Sequence, residues 1–593
     1  MPHLDPDAIA SLPAHESCVV YAGPGTGKTR LLVKRLNFLL QGPPRPGSEI
    51  ACITYTNAAA DEIAARLTSG VMPGFLGTIH SFLLEHVVYP YGHWLDGVPP
   101  DFDLVTVGYG APHLQWMQAK SLISAKKVHI LKVVAAFENC GYDLDGTLRC
   151  LEGASLTQEE MRAFIERRLS ERQVNQQDVL WFAWQLLSNP DYSHVLEALS
   201  CRFSSILVDE FQDTSALQFA VLDKLHEKGR TSLFLVGDRE QSIFSFAGAS
   251  LATYETATDK FTSHPLNTNY RSTSRIVGLL NLFLDADRQL IPGADWSGEA
   301  IPVYVLVGEV GDAEKVKAFM DLRIRHGLDG GGKTPEFMVL ARAAATTRRL
   351  AALAEEKAKD GDDVFERLEE THRHLNSILR DLLRARRLLD LGEDAKAFRS
   401  LDRGLSRLIL KANPGFGAHE SVGLTRDSWR AMVCDVLHEM RGLNAEDVVP
   451  WVTSVQEVVK KAILTAGGKK SGGKLILLGK LAANLKKQAK YRLAAALRCV
   501  DVSDDVSSAV RTIHRAKGLE AEAVLLVAEK GHLVQWLNCC GSGKPRNEEA
   551  RIGYVGLSRA TKLLCIATDS LRTDARATLE KCDAVVLELK PKP

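Results

Sequence analysis

The chain of 593 residues has no surplus of either charge: Lys and Arg total 73, and Asp and Glu total 73. That balance removes any compositional argument for a polyanionic partner, so a basic surface must be local. No apolar run approaches the roughly 18–20 residues of a membrane span. Met1 to Pro13 is polar and proline-punctuated, without the basic-then-apolar order of an export signal. These absences predict a cytoplasmic protein with no membrane partner. The 11 cysteines are scattered and form no C-x-x-C pair, and the adjacent Cys539 and Cys540 are spaced badly for a structural zinc site. Reduced thiols are expected. Hydrophobic residues at 45% and charged residues at 25% are ordinary for a globular chain. The length suggests roughly four domains of ordinary size.

What is present begins near the start. Cys18 to Tyr21 reads as a buried strand, and Arg30 to Leu36 as an amphipathic helix. Between them lies Ala22-Gly23-Pro24-Gly25-Thr26-Gly27-Lys28-Thr29. Strand, glycine-rich loop, Lys-Thr and helix in this register make a phosphate-binding loop. Glycines let backbone N–H groups turn toward anionic oxygens, and the helix start adds partial positive charge. Lys28 is expected to reach the β- and γ-phosphates, and the Thr29 hydroxyl to ligate Mg²⁺.

A Pro/Gly connector at Gln41–Gly47 leads to a strand at Glu49–Thr54 and then a helix, with Asn57 as its expected cap. A short element follows at Gly77–Phe82. This alternation is a parallel α/β pattern. It gives way to helical periodicity between about Leu83 and Asp178, an inserted subdomain, and resumes at Ser205–Val208. That apolar strand ends in Asp209-Glu210, where Asp209 is expected to hold Mg²⁺ through water and Glu210 to deprotonate the attacking water.

Eight blocks now stand in order: Ala22–Arg30, Thr54–Ile63, Gly77–Phe82, Leu207–Thr214, Leu235–Ala249, Asn269–Ile276, Thr512–Glu520 and Gly553–Ala560. In that order they resemble the UvrD/Rep/PcrA family of superfamily-one DNA helicases. The resemblance implies an α/β fold of two RecA-like parallel-sheet P-loop domains. ATP binds in the cleft between them, and each carries an inserted, mainly helical subdomain. The first domain is then expected at 1–83 and 178–261, with 84–177 inserted. The second is expected at 262–346 and 501–593, with 347–500 inserted and basic toward its C-terminal part.

For the nucleotide site, the resemblance makes Gln241 a γ-phosphate sensor. Arg271 and Arg559 become two arginine fingers from the second domain, which reach the phosphates only when the cleft closes. It assigns Tyr270 to stack on the adenine, Arg30 to flank the base and Glu520 to contact the sugar. For the strand track, it makes Tyr55, Phe244 and Phe246 base-pocketing aromatics, which suits the stacking by which single strands are held. Thr56, Asn57, Thr78, His80, Arg342, Thr512 and His514 are further strand contacts. The activity implied is ATP hydrolysis stimulated by single-stranded DNA, driving 3′-to-5′ translocation and unwinding of forked DNA.

Four departures narrow the expectation. Leu4 to Ile9 lacks the glutamine by which relatives read the adenine edge. Phe246 replaces a tryptophan, Ala247 replaces a coupling arginine, and the asparagine near Arg342 is missing. From Val458 to Val500 there are eleven Lys/Arg and no Asp/Glu. Within it, Gly468 to Lys474 mimics a phosphate loop but lacks the leading strand and the hydroxyl, where Leu475 stands. A basic loop against duplex phosphates and a merely solvated one are equally compatible with this composition. A second reading makes the chain an ATP-gated DNA-sensing subunit of a repair or antiviral complex, acting with a separate nuclease.

Overall fold

The computed structural model describes residues 5–590, excluding 43–44, 69–70, 100, 106–116, 118–136, 138–139, 151–155, 245–247, 295–299, 329–336, 344, 348, 351–363, 391, 395–396, 399, 403, 406–423, 468–491, 500–508, 530 and 538–546. The chain forms two compact units, Met1–Thr347 with Val510–Pro593, and Arg348–Ala509.

The first unit holds two six-stranded sheets. One runs Thr262–Leu266, Cys18–Ala22, Ser232–Gly237, Phe203–Val208, Glu49–Thr54 and Phe75–Thr78 in spatial order. Each neighbouring pair is parallel. Side chains alternate between its faces because successive residues of a strand point to opposite sides. Cys18, Val20, Cys52, Leu207, Phe234 and Val236 pack with Leu32 and Leu36 of the Lys28–Gln41 helix. Val19, Ala51, Ile53, Ile206, Leu233 and Leu235 pack against the opposite layer, which includes Phe82, Phe182 and Leu222. Burial on both faces accounts for the near-continuous apolar strands read in the sequence.

The second sheet runs Val510–Thr512, Phe337–Ala341, Ala521–Ala528, Ala560–Thr568, Tyr304–Val307 and Val585–Glu588, again parallel throughout. Trp536, Tyr554, Phe283 and Ile513 fill its core. The apolar runs Phe337–Leu340 and Ala523–Val527 are neighbouring strands in it.

Between the Phe75–Thr78 and Phe203–Val208 strands lie the helices Gln158–Ser170 and Gln176–Ser188, as the periodicity predicts. The same stretch also contains short strands: Cys140–Tyr142 against Leu148–Cys150, antiparallel, and Asp103–Leu104 beside Gln173–Val174. Asp178 does not end an element. It completes a capping box with Asn175 and accepts two guanidinium bonds from buried Arg168.

In the second unit, the helices Val364–Asp390, Arg426–Arg441 and Val448–Thr465 enclose Leu379, Leu382, Trp429, Met432, Trp451 and Val455. The basic stretch begins inside the last of these helices, where Lys460 pairs with Glu457 and Lys461 with Glu439. Its glycine-lysine segment lies outside the described residues. Among the described residues, no helix is long and apolar enough to cross a membrane.

Candidate nucleotide and strand site

The phosphate loop leaves the Cys18–Ala22 strand and enters the Lys28–Gln41 helix. Gly25 (φ +70°) and Gly27 (φ +86°) take left-handed backbone, which lets the loop curl back on itself. Gly27 caps the helix without a side-chain hydrogen bond, so no side chain competes with an anion for the first N–H groups. Thr26 ties the loop internally, its hydroxyl donating to Gly23 O at 2.9 Å. Lys28 Nζ folds back onto Ala22 O at 3.2 Å.

Residues of the Asn269 block grip the outside of this loop. Asn269 Nδ2 donates to Pro24 O at 2.7 Å, and Tyr270 N to Gly25 O at 2.8 Å. A Cβ on Gly25 would lie 2.5 Å from Arg271 Cβ, and one on Gly23 would lie 2.7 Å from Leu290 Cδ2. The glycines are therefore needed for close approach as well as for curvature. Tyr270 leaves its ring 49% exposed beside the loop, and Arg30 is exposed on the first turn of the helix.

The next strands of the sheet bring the acids. Asp209-Glu210 follows Phe203–Val208, and Asp238 follows Ser232–Gly237. Glu210 sits at φ +49°, ψ +43°, a left-handed position that costs a non-glycine residue about 1–3 kcal/mol. Gln212 donates from Nε2 to Glu210 Oε2 at 2.5 Å and accepts Asp238 N at 2.9 Å. Burial alone would raise the Glu210 carboxyl, but Lys28, Lys517, the Gln212 hydrogen bond and Arg559 together hold it below the usual range. Asp209 moves the other way, raised by burial and by Glu210. Of the nearby cations, buried Asp209 feels chiefly Lys28, so its negative charge is poorly compensated. With the Thr29 hydroxyl on the adjacent helix turn, this hard-oxygen set fits a divalent cation such as Mg²⁺.

The second sheet supplies cations to the same place. Arg559 stands just before the Ala560–Thr568 strand, and Glu520 just before Ala521–Ala528. Arg559 is 1% exposed and donates from Nη2 to Gln241 Oε1 at 3.1 Å. Burial and the neighbouring Arg271 push its guanidinium down to about 9. Gln241 Nε2 in turn donates to Asp238 Oδ2 at 2.7 Å. The residues expected as sensor and as one finger, Gln241 and Arg559, are thus already joined. Arg271 Nε, of the other expected finger, instead donates to Glu520 Oε2 at 2.5 Å, so the residue expected at the sugar here holds it.

Lys517 lies in the block that begins at Thr512, and no motif role marks it. Its ammonium donates to Asp213 Oδ2 at 2.5 Å and to Gln241 O at 2.7 Å, and sits 4.9 Å from the centre of the Phe244 ring. The signal for it was present only as a lysine between Thr512 and Glu520. Gln212, Asp213 and Asn269 likewise lie within the blocks without a local mark of their role.

The residues expected to contact a nucleic-acid strand gather at the neighbouring β-strand ends. Tyr55, Thr56 and Asn57 follow Glu49–Thr54; Thr78 ends the Phe75–Thr78 strand and His80 follows it. Tyr55, 46% exposed, already stacks on Phe244, with ring centroids 5.4 Å apart and planes at 12°. His514 flanks Phe244 at 6.2 Å. Thr56, Thr78 and Thr512 are the N-caps of the helices that follow them. The cap expected at Asn57 therefore falls one residue earlier. Thr56 has the extended backbone a cap requires, while Asn57 is already helical. Burial lowers His80 to about 4, and its Nε2 is enclosed without a hydrogen-bond partner. Arg342 follows Phe337–Ala341 and pairs with Glu549 at 2.9 Å. Phe246 and Ala247 lie outside the described residues.

Comparison with known proteins agrees with this arrangement. Residues 6–262 match the UvrD/REP helicase N-terminal domain, and 490–570 the UvrD-like helicase C-terminal domain. DNA helicase II of Salmonella typhimurium is 26% identical, over 94% of this chain and 83% of its own. DNA helicase II of Haemophilus influenzae is 24% identical, over 93% and 81%. The ATP-dependent DNA helicase PcrA of Staphylococcus aureus is 25% identical over 56% of this chain and 46% of its own. With two parallel sheets meeting at the loop, and the ordered blocks at their edges, the chain belongs to the UvrD/Rep family of DNA helicases.

Proposed function

We propose that this chain is an ATP-driven motor that moves 3′ to 5′ along single-stranded DNA and separates duplex at a fork. The reading is supported by contacts between the two sheets at the residues assigned to the nucleotide and to the strand. Arg559 from the second sheet touches Gln241 of the first, while Lys517 touches Asp213 and lies over Phe244, a strand-track aromatic. We take 1–83 with 178–261 and 262–346 with 501–593 as the two moving halves, with 84–177 and 347–500 inserted.

In this reading Gly23 to Thr29 and Tyr270 hold ATP, and Glu210 takes the proton of the attacking water. Lys28, Gln241, Arg271 and Arg559 offset the charge that spreads over the transferred phosphoryl group. Mg²⁺, held by Thr29 and Asp209, would add positive charge at the phosphates. Arg271 must leave Glu520, which lies in the same half, to act as a finger, so nucleotide binding requires this side chain to swing away from its partner. Because Tyr55 and Phe244 stack on one another, a base must part them to enter. Strand entry and cleft geometry are thereby mechanically linked. Direction rests on the likeness of the strand-contact blocks to those of the family.

Strand displacement on duplexes carrying a 3′ or a 5′ tail tests the proposal. ATP-dependent displacement from the 3′ tail alone is expected. ATP turnover without displacement from either tail would favour the DNA-sensing subunit, and displacement from the 5′ tail would overturn the direction.

A further inference from the structure

Away from the cleft, one region carries exposed aromatic rings and exposed carboxylates, with exposed Arg172 at its border, where Asp103 N donates to Arg172 O at 2.8 Å. It is built from two segments distant in sequence. The first is Tyr89-Pro90-Tyr91-Gly92-His93-Trp94, which follows the π-helical turn Leu84–Val88. The second is Tyr192-Ser193-His194 at the start of the Ser193–Arg202 helix. Tyr192 joins them, its hydroxyl donating to Trp94 O at 2.9 Å and its ring stacking on Trp94 at 6.1 Å. Tyr89 is 60% exposed and Trp94 38%. Rings this exposed and this mutually ordered are unusual outside interaction sites.

The charge pattern says what the rings would meet. No lysine or arginine occurs from residue 67 to 119 or from 173 to 201. Glu85, Asp96, Asp101 and Asp191 are all exposed on these segments. The bordering Arg202 is engaged by Glu49 at 3.0 Å. A nucleic-acid strand needs stacking rings together with cations for its phosphates. Here the rings come with carboxylates, which repel phosphate and attract a cation. Arginine fits both halves, since its planar guanidinium stacks on Trp and Tyr faces while pairing with carboxylates.

We propose that this aromatic, acidic face docks an arginine-rich segment of a partner protein, separately from the nucleotide and strand site. Trp94 and Tyr89 are the stacking platforms, and Asp96 and Asp101 the charge partners.

The test measures binding of a fluorescent peptide of alternating arginine and glycine to the full chain, beside a lysine-glycine peptide and oligo(dT). Saturable, salt-sensitive binding of the arginine peptide is expected, with the lysine peptide weaker. Combining Tyr89→Ala with Trp94→Ala should weaken it about tenfold or more, leaving oligo(dT) affinity unchanged. Combining Asp96→Lys with Asp101→Lys, which keeps the rings, should weaken it similarly. Normal DNA-stimulated ATP turnover would show that this variant is folded. No saturable peptide binding, or equal binding by both double variants, overturns the proposal. So does loss of oligo(dT) affinity in the aromatic variant, which would make the face a strand contact. Self-association abolished by either variant, without peptide binding, would assign the face to a second copy and also overturn it.

Discussion

Lys517 and Asp213 form a buried ion pair, with 2.5 Å between Nζ and Oδ2, across 304 residues of sequence. The same ammonium touches the Gln241 carbonyl and overlies Phe244. One side chain thus borders both Gln241, the proposed phosphate sensor, and Phe244 of the proposed base stack. Lys517→Met should uncouple them: ATP turnover with oligo(dT) should fall toward the DNA-free rate. Removing one partner of a buried pair should also cost about 3 kcal/mol of stability. Asp213→Asn together with Lys517→Met should recover part of that loss. ATPase assays with and without oligo(dT), alongside denaturant titrations, check both outcomes.

The pair also has a pH signature. Burial raises the Asp213 carboxyl from its ordinary 3.8 to about 6, more than Lys517 lowers it. The folded protein therefore holds this proton at higher pH than the unfolded chain does. Its contribution to stability is fully present below pH 3.8 and is lost as pH rises through about 6. The difference in unfolding free energy between wild type and Asp213→Asn should accordingly change across this window, by at most about 3 kcal/mol. Urea titrations at stepped pH would measure it, and a constant difference would contradict the assignment.

Arg559→Lys should be nearly as damaging as Arg559→Ala. The guanidinium serves Gln241 Oε1, Val555 O, Leu519 O and the Ser558 hydroxyl at once, a fork that an ammonium cannot reproduce. Both variants should lose about 10³-fold in the rate of ATP turnover, with a smaller change in ATP affinity. Steady-state kinetics separate the two parameters.

Much of this was legible in the chain itself. The central strands Cys18–Ala22, Glu49–Thr54 and Phe203–Val208 of the first sheet were readable because both faces are buried and the residues largely apolar. Edge strands such as Thr262–Leu266 and Val585–Glu588 are partly exposed and carry no such signal. The loop was readable because Gly25, Gly27, Lys28 and Thr29 must stand in one register to hold phosphate. Lys517 was not, because nothing local marks a lysine whose partner lies 304 residues away. The Cys140–Tyr142 and Leu148–Cys150 strands are three residues each, too short to show a period of two. Thr56 and Asn57 are adjacent residues that both favour caps, and only the backbone angle decides between them.

Gly25→Ala probes the loop's geometry without touching a charge. A left-handed alanine costs about 1–2 kcal/mol, and its Cβ would also press on Arg271 Cβ at 2.5 Å. The variant should melt earlier and bind ATP more weakly. Thermal melting and equilibrium nucleotide titration would measure the two effects.

The central claim is that one cleft, built on the Gly23–Thr29 loop, hydrolyses ATP in response to a bound single strand. Its most direct test is ATP turnover by Lys28→Ala, measured with and without oligo(dT) beside the wild type. Oligo(dT) should stimulate the wild type, while Lys28→Ala should be inactive in both conditions yet still bind oligo(dT). Turnover by Lys28→Ala at the wild-type rate would contradict the claim.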